Sequence, residues 1–380
     1  MIIAVGDVAD AGPNGAVDLA LRLGPHHPSS HGLLRLRISL DGDRIATAEP
    51  LIGHVHRGAE KLFEGRDYRQ ILGLANRHDW HGSFASEVGV ALAVEQLIGM
   101  SVPERATWLR TTMYELNRIL SHLAFLIPVA NPQPDEASES PATQARDAVQ
   151  RVMESATGGR LHFMANQIGG LKTDVEAGWS ADVAHSIEQV EAVLPQLHAQ
   201  LFDALGEKLT GLGVLDAQAV TDFGVSGVAA HAAGVDLDVR RSKPYLAYSE
   251  LTDVLRPIQR SSAHAWARFA CLFDHIDLSI ALIRACLPRI NELAGSPVNV
   301  KLPKVLRAPE GATYVSTEGP LGTSGYYLVS RGKAEPWRLK MRTASFNNAQ
   351  ALSVAIPGCT IDDLVPLLQS MVYVTGDIDK

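Results

Sequence analysis

The sequence predicts an α+β fold: a long-helix bundle flanked by small β-sheets at the N- and C-terminal ends. Three observations carry this. Leu34–Leu40 alternates apolar and polar side chains with period two and runs into Asp41-Gly42, the pattern of a β-hairpin. Apolar residues then recur at three-and-four spacing over long windows, which gathers them on one face of a helix. After Pro297 the pattern returns to short runs between glycines, as in a second small sheet.

The first helical window is about 83–127. Val88, Val90, Ala91, Val94 and Leu97 mark its apolar side, and Pro103-Glu104 opens a second helix, since proline's fixed φ suits a first helical turn. Residues 131–142, with three prolines and seven polar or acidic residues, predict a loop. Further helices are expected near Gln144–Ala156, Asp182–Leu209 and Ile258–Leu293, punctuated by Gly169-Gly170 and the glycines at 211–213. Thr313–Ser316, Gly325–Ser330 and Trp337–Arg342 predict strands, and Ile361–Met371 a last helix. No stretch has the composition of an interdomain linker, so residues 1–380 are expected to form a single domain: an N-terminal β region of about 1–56, a helical bundle of about 57–296 and a C-terminal α+β region of about 297–380.

Composition excludes several classes of function. A chain of 380 residues can bury a large core, and 46% hydrophobic with 20% charged residues is ordinary for a soluble globular protein. The net charge of −8 argues against nonspecific nucleic-acid binding and against a polybasic membrane surface. There is no uninterrupted apolar run of the roughly 18 residues that a membrane span needs. The first residues carry no basic stretch of a signal peptide, so membrane association is expected only through partners. Cys271, Cys286 and Cys359 form no C-x-x-C pair. They therefore predict neither a disulfide framework nor a zinc or iron–sulfur motif, but buried inert thiols and a cytoplasmic setting.

The chemistry-bearing residues are concentrated early. Half of the 14 histidines precede position 82, and imidazole titrates nearest neutrality. Gly24-Pro25-His26-His27-Pro28-Ser29-Ser30-His31-Gly32 is a rigid turn whose histidines either donate to a ligand or cap loop backbone. Gly53-His54-Val55-His56-Arg57-Gly58 is a second His/Arg turn. Arg77-His78-Asp79-Trp80-His81 reads as a polar site rim; it lacks a convincing ligand set for a metal. Arg77 and His162 are either site residues or a helix-end salt bridge and a core histidine. Glu115, Arg118 and His122 fall on one helix face, as a buried ion pair or a proton path.

These blocks, occurring in order over about 20–380, resemble the 49-kilodalton (or D) subunit of respiratory complex I, a family related to the large subunit of nickel–iron hydrogenases. The likeness includes Glu115-Leu-x-Arg118-x-x-x-His122, the stretch Gly158–Gly170, and Glu318-x-x-x-Gly322-x-x-Gly325-Tyr326. Lys340-x-Arg342-x-x-x-Phe346 and the terminal Gly376-Asp377-Ile378-Asp379-Lys380, with Lys where Arg is usual, complete it. The hydrogenase branch is excluded on chemical grounds: nickel needs soft thiolates from two C-x-x-C motifs, and the early position reads Ala75-Asn76-Arg77-His78.

The resemblance implies a peripheral-arm subunit of an NADH-quinone oxidoreductase, inactive alone and binding no cofactor itself. Quinone would be the substrate. Partners would be the iron–sulfur subunit that shares the quinone cavity, other peripheral-arm subunits and a membrane-arm subunit, on the cytoplasmic side of the membrane, with electron transfer coupled to proton translocation. It implies that His31 donates to a quinone oxygen, that Trp80 stands where the family has the second quinone ligand, a Tyr, and that Arg77 and His162 approach the partner's terminal cluster. The chain departs from the family in three places. Trp80 lacks the acidic hydroxyl of Tyr. Pro132 stands where an Asp partners the quinone-site His, with Asp135 close by in sequence. The stretch between Pro297 and Glu310 is short. These departures leave two alternatives open: a divergent complex with a different acceptor, or a non-catalytic assembly subunit.

Overall fold

The computed structural model describes residues 2–4, 17–21 and 34–380. The predicted hairpin is present: β3 (Arg35–Asp41) and β4 (Arg44–Leu51) turn at Gly42, whose φ of 63° is left-handed. With β1 (Ile2–Ala4) and β2 (Val17–Leu21) they form an antiparallel sheet in chain order. Pairing of Leu36 with Pro50 and Ile38 with Ala48 turns Leu36, Ile38, Ile45 and Ala48 to one buried face.

Two short helices, α1 (Ala59–Phe63) and α2 (Gln70–Ala75), lead to α3 (Ser83–Ile98) and α4 (Glu104–Ala130). α4 is the axis of the bundle and is buried almost all round, so its charged residues are interior ones. The stretch 131–142, expected as a loop, holds a short helix, α5 (Pro134–Glu139): proline opens it and Asp135 and Glu136 occupy its first turn. α6 (Pro141–Thr157) follows, capped by the Ser140 hydroxyl. A ribbon of β5 (Asn166–Gln167) and β6 (Gly170–Leu171) precedes α7 (Trp179–Leu201). A π-helical turn over Phe202–Gly206 then passes into α8 (Glu207–Leu209).

Three helices too short to leave a periodic pattern come next: α9 (Ala217–Phe223), α10 (Val228–Ala232) and α11 (Val239–Ser242). The helix expected from Ile258 begins only at Ala265, as α12 (Ala265–Glu292), capped by the His264 ring. The residues before it are held elsewhere, Arg260 N–H donating to His231 O and Ala263 N–H to Ala232 O, both at 2.9 Å. β7 (Gly311–Gly319), β8 (Gly322–Ser330) and β9 (Arg338–Arg342) form the second sheet. The chain closes with α13 (Ala344–Gln350), α14 (Leu352–Ala355), α15 (Ile361–Ser370) and α16 (Thr375–Ile378).

The two terminal regions pack on each other. Ile45 N–H donates to Cys359 O at 2.9 Å and Gly358 N–H to Ile45 O at 2.8 Å, and Leu36 and Ile38 share a core with Leu352, Ile356 and Leu364. This contact brings the last residues of the chain beside the loop that follows β4. Among the described residues no helix is long and apolar enough to cross a membrane. The three cysteines are free and buried, and burial pushes the Cys271 and Cys286 thiols up to about 12.

Candidate functional site

A cavity of about 620 Å³ opens where four segments meet. The loop after β4 supplies His54, Val55, His56 and Arg57; the turn between α2 and α3 supplies Arg77, His78 and Trp80; the loop after α6 supplies His162; the tail supplies Gly376, Asp379 and Lys380. Arg77, Trp80 and His162, three of the residues singled out from sequence, therefore face one space. The fourth, His31, lies outside the described residues, as do His26 and His27.

Each segment is held in place by named bonds. The buried Asp379 carboxylate accepts the N–H groups of Gly53 at 2.7 Å and Val55 at 2.9 Å, and the His56 ring donates Nδ1–H to Asp379 O at 2.7 Å. Charge-assisted bonds of this kind fix a loop more firmly than neutral ones. The Asp79 carboxylate folds the 79–82 turn by accepting Gly82 N–H at 2.8 Å. Gly376 packs directly on the Trp80 ring, and a Cβ there would also lie 2.5 Å from His78 O. Arg57 reaches across to Arg77 O at 3.4 Å. A second hollow of about 410 Å³ adjoins the cavity, sharing His56, Asp379 and Lys380 and running along Glu60, Arg338 and Phe346.

The electrostatics follow from burial. His78 is buried with neither ring nitrogen hydrogen-bonded; burial holds its pKa below the ordinary imidazole range, while Asp377 pulls it up. Burial, then repulsion from Asp377, raises Asp79 well above the carboxylate range. Burial followed by the Arg77 cation lowers the His162 pKa, while the Asn76 backbone opposes them. Burial lowers Lys380. No group of three His, Cys, Asp or Glu side chains among the described residues could hold a metal ion. Asp135 is exposed on α5 and does not line the cavity.

Away from the cavity, Glu115, Arg118 and His122 sit in the bundle interior. Glu115 pairs with Arg118 at 3.0 Å and with Arg240 at 3.1 Å, and Arg240 with Asp238 at 2.7 Å. The His122 ring bonds Pro320 O at 2.9 Å, and burial and the Arg118 cation push it down to about 3.

Sequence reasoning did not select the 54–57 loop or the 376–380 tail as site residues, although both stood out as motifs. What was hidden is that Asp379 joins them.

The family model for the respiratory-chain NADH dehydrogenase 49-kilodalton subunit matches residues 140–307 and 300–380. The NADH-quinone oxidoreductase D 2 subunit of Streptomyces griseus subsp. griseus is 50% identical over 100% of this chain and 95% of its own length. The corresponding D subunit of Bacillus thuringiensis is 33% identical over 95% and 98%. The chain belongs to this family. It is thus the 49-kilodalton-type subunit of a complex I-type oxidoreductase assembly, and other subunits of that complex are its partners. The D 1 subunit of Streptomyces coelicolor, 50% identical over 96% of both chains, fits the same family. A peripheral place in a membrane-associated complex agrees with the family, and no helix among the described residues is long and apolar enough to cross a membrane.

Proposed function

We propose that the cavity is this chain's share of a quinone site, walled on its other side by an iron–sulfur subunit. Quinone is the substrate, and the chain itself carries no cofactor. Electrons that originate on NADH pass from the partner's terminal cluster to quinone held near His31 and Trp80. Arg77 and His162 stand on the cluster side, where a fixed cation and a titrating imidazole raise a cluster's potential and tie electron arrival to proton uptake. The complex lies on the cytoplasmic face of the membrane, attached through a membrane-arm subunit, and the charge change drives proton translocation there. The chain's contribution is position and electrostatics rather than covalent catalysis.

One observation carries this reading: Arg77 and Trp80 on one turn and His162 on a distant loop line one cavity of about 620 Å³, large enough for a planar aromatic head group. The test is His31→Ala in the assembled, membrane-bound complex. Quinone reductase activity is expected to fall while NADH oxidation by ferricyanide, which bypasses the cavity, is retained. Full quinone turnover in that variant would leave His31 no role at the acceptor and favour a subunit that serves assembly alone.

A further inference from the structure

A carboxylate is enclosed between the two segments that carry Arg77 and His162, and the electron-transfer reading above does not use it. Glu87 lies wholly buried on α3, one turn after Ser83. Its oxygens bond both segments. Oε1 accepts Asn76 Nδ2–H at 2.8 Å and Met164 N–H at 2.7 Å. Oε2 accepts Asn166 N–H at 3.2 Å and Asn166 Nδ2–H at 3.1 Å. Asn76 immediately precedes Arg77, and Met164 follows His162 by two residues.

We propose that Glu87 is a positioning residue: it fastens the turn that carries Arg77 to the loop that carries His162, and so fixes the two groups relative to each other at the cavity. The proposal rests on the reading of that cavity as a quinone site beside a partner's iron–sulfur cluster.

The hold on His162 has two ends. Ser83 and Glu87, four residues apart, share one face of α3. The Ser83 hydroxyl donates to Leu161 O, just before His162, while Glu87 accepts from Met164 and Asn166, just after it. Met164 has a φ of 52°, a left-handed backbone that a residue with a side chain keeps only where its surroundings impose it. The hold on Arg77 runs through its neighbour. The Asn76 amide that bonds Glu87 also donates to Met164 Sδ at 2.8 Å. The Met164 side chain in turn lies against Gly73 on α2, where a Cβ would stand 3.1 Å from Met164 Cε.

The chemistry of the clamp calls for a carboxylate. Its two oxygens accept about four hydrogen bonds and donate none, which matches four N–H donors converging on one point. Bonds to an ionised acceptor are also stronger than neutral ones, so one side chain can hold two segments that are distant in sequence. Removing it leaves those donors facing one another without an acceptor, and the segments are expected to part. Arg77 and His162 act on a neighbouring cluster only through distance and orientation, so a shift of about 1 Å in either is felt in the reaction.

The experiment uses the assembled, membrane-bound complex with Glu87→Ala, Glu87→Gln and Asn76→Ala, and with Arg77→Met and His162→Met as references. Quinone kcat and KM, ferricyanide activity and the midpoint potential of the partner's terminal cluster are read in each. Glu87→Ala is expected to lower quinone kcat roughly 10- to 100-fold, with KM and ferricyanide activity little changed. The potential should fall, as in the two references. A residue that only stabilised the chain would reduce the amount of complex and leave both quantities, per assembled complex, unmoved. Glu87→Gln separates position from charge. Its new amide can donate to Asn166 Oδ1, which has no partner, once the Asn166 amide turns over. One neutral bond is then lost, and kcat should fall by no more than about five-fold. Asn76→Ala cuts the arm to Arg77 alone and carries the test should Glu87→Ala fail to assemble; it is expected to lower kcat about 10-fold, with the potential again reduced. Unaltered kcat and potential in Glu87→Ala, or in Asn76→Ala where only that variant assembles, overturn the clamp. So does a Glu87→Gln complex as impaired as Glu87→Ala, which would make the charge itself the active feature. Effects in Arg77→Met and His162→Met without effects in the clamp variants defeat the clamp alone, whereas references that leave kcat and potential untouched defeat the reading of the cavity and the clamp with it.

Discussion

Glu115 and Arg118 form an ion pair at 3.0 Å, one turn apart on α4, from which water is wholly excluded. The pair is closed by further partners: Ser279 Oγ donates to Oε2 at 2.6 Å, and Arg240 and the Tyr248 hydroxyl donate to Oε1. Such a network is costly to break because each survivor is left charged or unbonded in the interior. Glu115→Gln is expected to destabilise the chain by about 3–5 kcal/mol, seen as lower abundance of the assembled complex and an earlier thermal transition. A pH signature accompanies it. The two guanidiniums hold Glu115 down at about 2 against an ordinary 4.5. Its stabilisation is therefore complete above pH 4.5 and is lost as pH falls toward 2, a span worth about 3 kcal/mol. Glu115→Gln should flatten that acid limb.

Glu318 carries the opposite signature. Arg118 and Arg240 face three carboxyls in this interior, Glu115, Asp238 and Glu318, and Glu318 Oε1 has no hydrogen-bond partner. Burial, then repulsion from Asp238, raises Glu318 to about 7. Between pH 4.5 and 7 the folded chain binds the extra proton, so stability declines as pH rises through that window, by about 3 kcal/mol. Glu318→Gln mimics the neutral form. It is expected to remove this decline and to make the complex more heat-resistant at pH 8 than the unaltered protein; thermal inactivation measured from pH 5 to 8 checks it. An unchanged slope would mean that Glu318 is ionised throughout.

The helices that build the bundle were legible because apolar residues recur in them over many turns: α3, α4 and α6 fall in the expected windows 83–127 and Gln144–Ala156. The helices between Ala217 and Ser242 were not, since four to seven residues cannot display a period. At the site, Arg77, Trp80 and His162 were marked by motif, but the tail and the 54–57 loop become neighbours only because β4 packs on Cys359. That contact spans most of the chain, and local pattern carries no information about it.

The Asp379 clamp yields a prediction about binding rather than chemistry. Asp379→Ala leaves the N–H groups of Gly53 and Val55 without their acceptors, and each partly buried orphan costs about 1 kcal/mol or more. The loop bearing His54 and His56 should then loosen, so that the quinone KM rises several-fold while kcat changes less. Asp379→Asn keeps one acceptor oxygen and should lie between. Steady-state kinetics of the two variants in the complex decide it; identical KM values in both would detach this loop from the acceptor.

Arg77 acts on His162 across the cavity wall, and its cation lowers the imidazole pKa. Arg77→Met removes that charge and leaves burial in place, so His162 should hold its proton to higher pH. If a partner's iron–sulfur cluster adjoins the cavity, as proposed, the observable is that cluster's midpoint potential, titrated at several pH values. Its pH-dependent region is expected to move upward in Arg77→Met and to disappear in His162→Met. A pH dependence unaltered in both variants would place the titrating group elsewhere.

Trp80 is the departure that bears most directly on the acceptor. Its indole N–H can donate a hydrogen bond but has no proton to release near neutral pH, whereas a phenol can do both. Its ring rests on Gly376, so the position is defined by the tail as well as by the turn that carries it. Trp80→Tyr fits within the volume already occupied and adds a hydroxyl beside His78 and Arg77. If the cavity receives an ordinary quinone, the variant should reduce quinone faster than the unaltered complex, with an unchanged ferricyanide rate. Unchanged or slower quinone reduction would point instead to an acceptor for which the indole is the fitted surface, since then the added hydroxyl brings no gain and must be desolvated without a partner when the ligand enters.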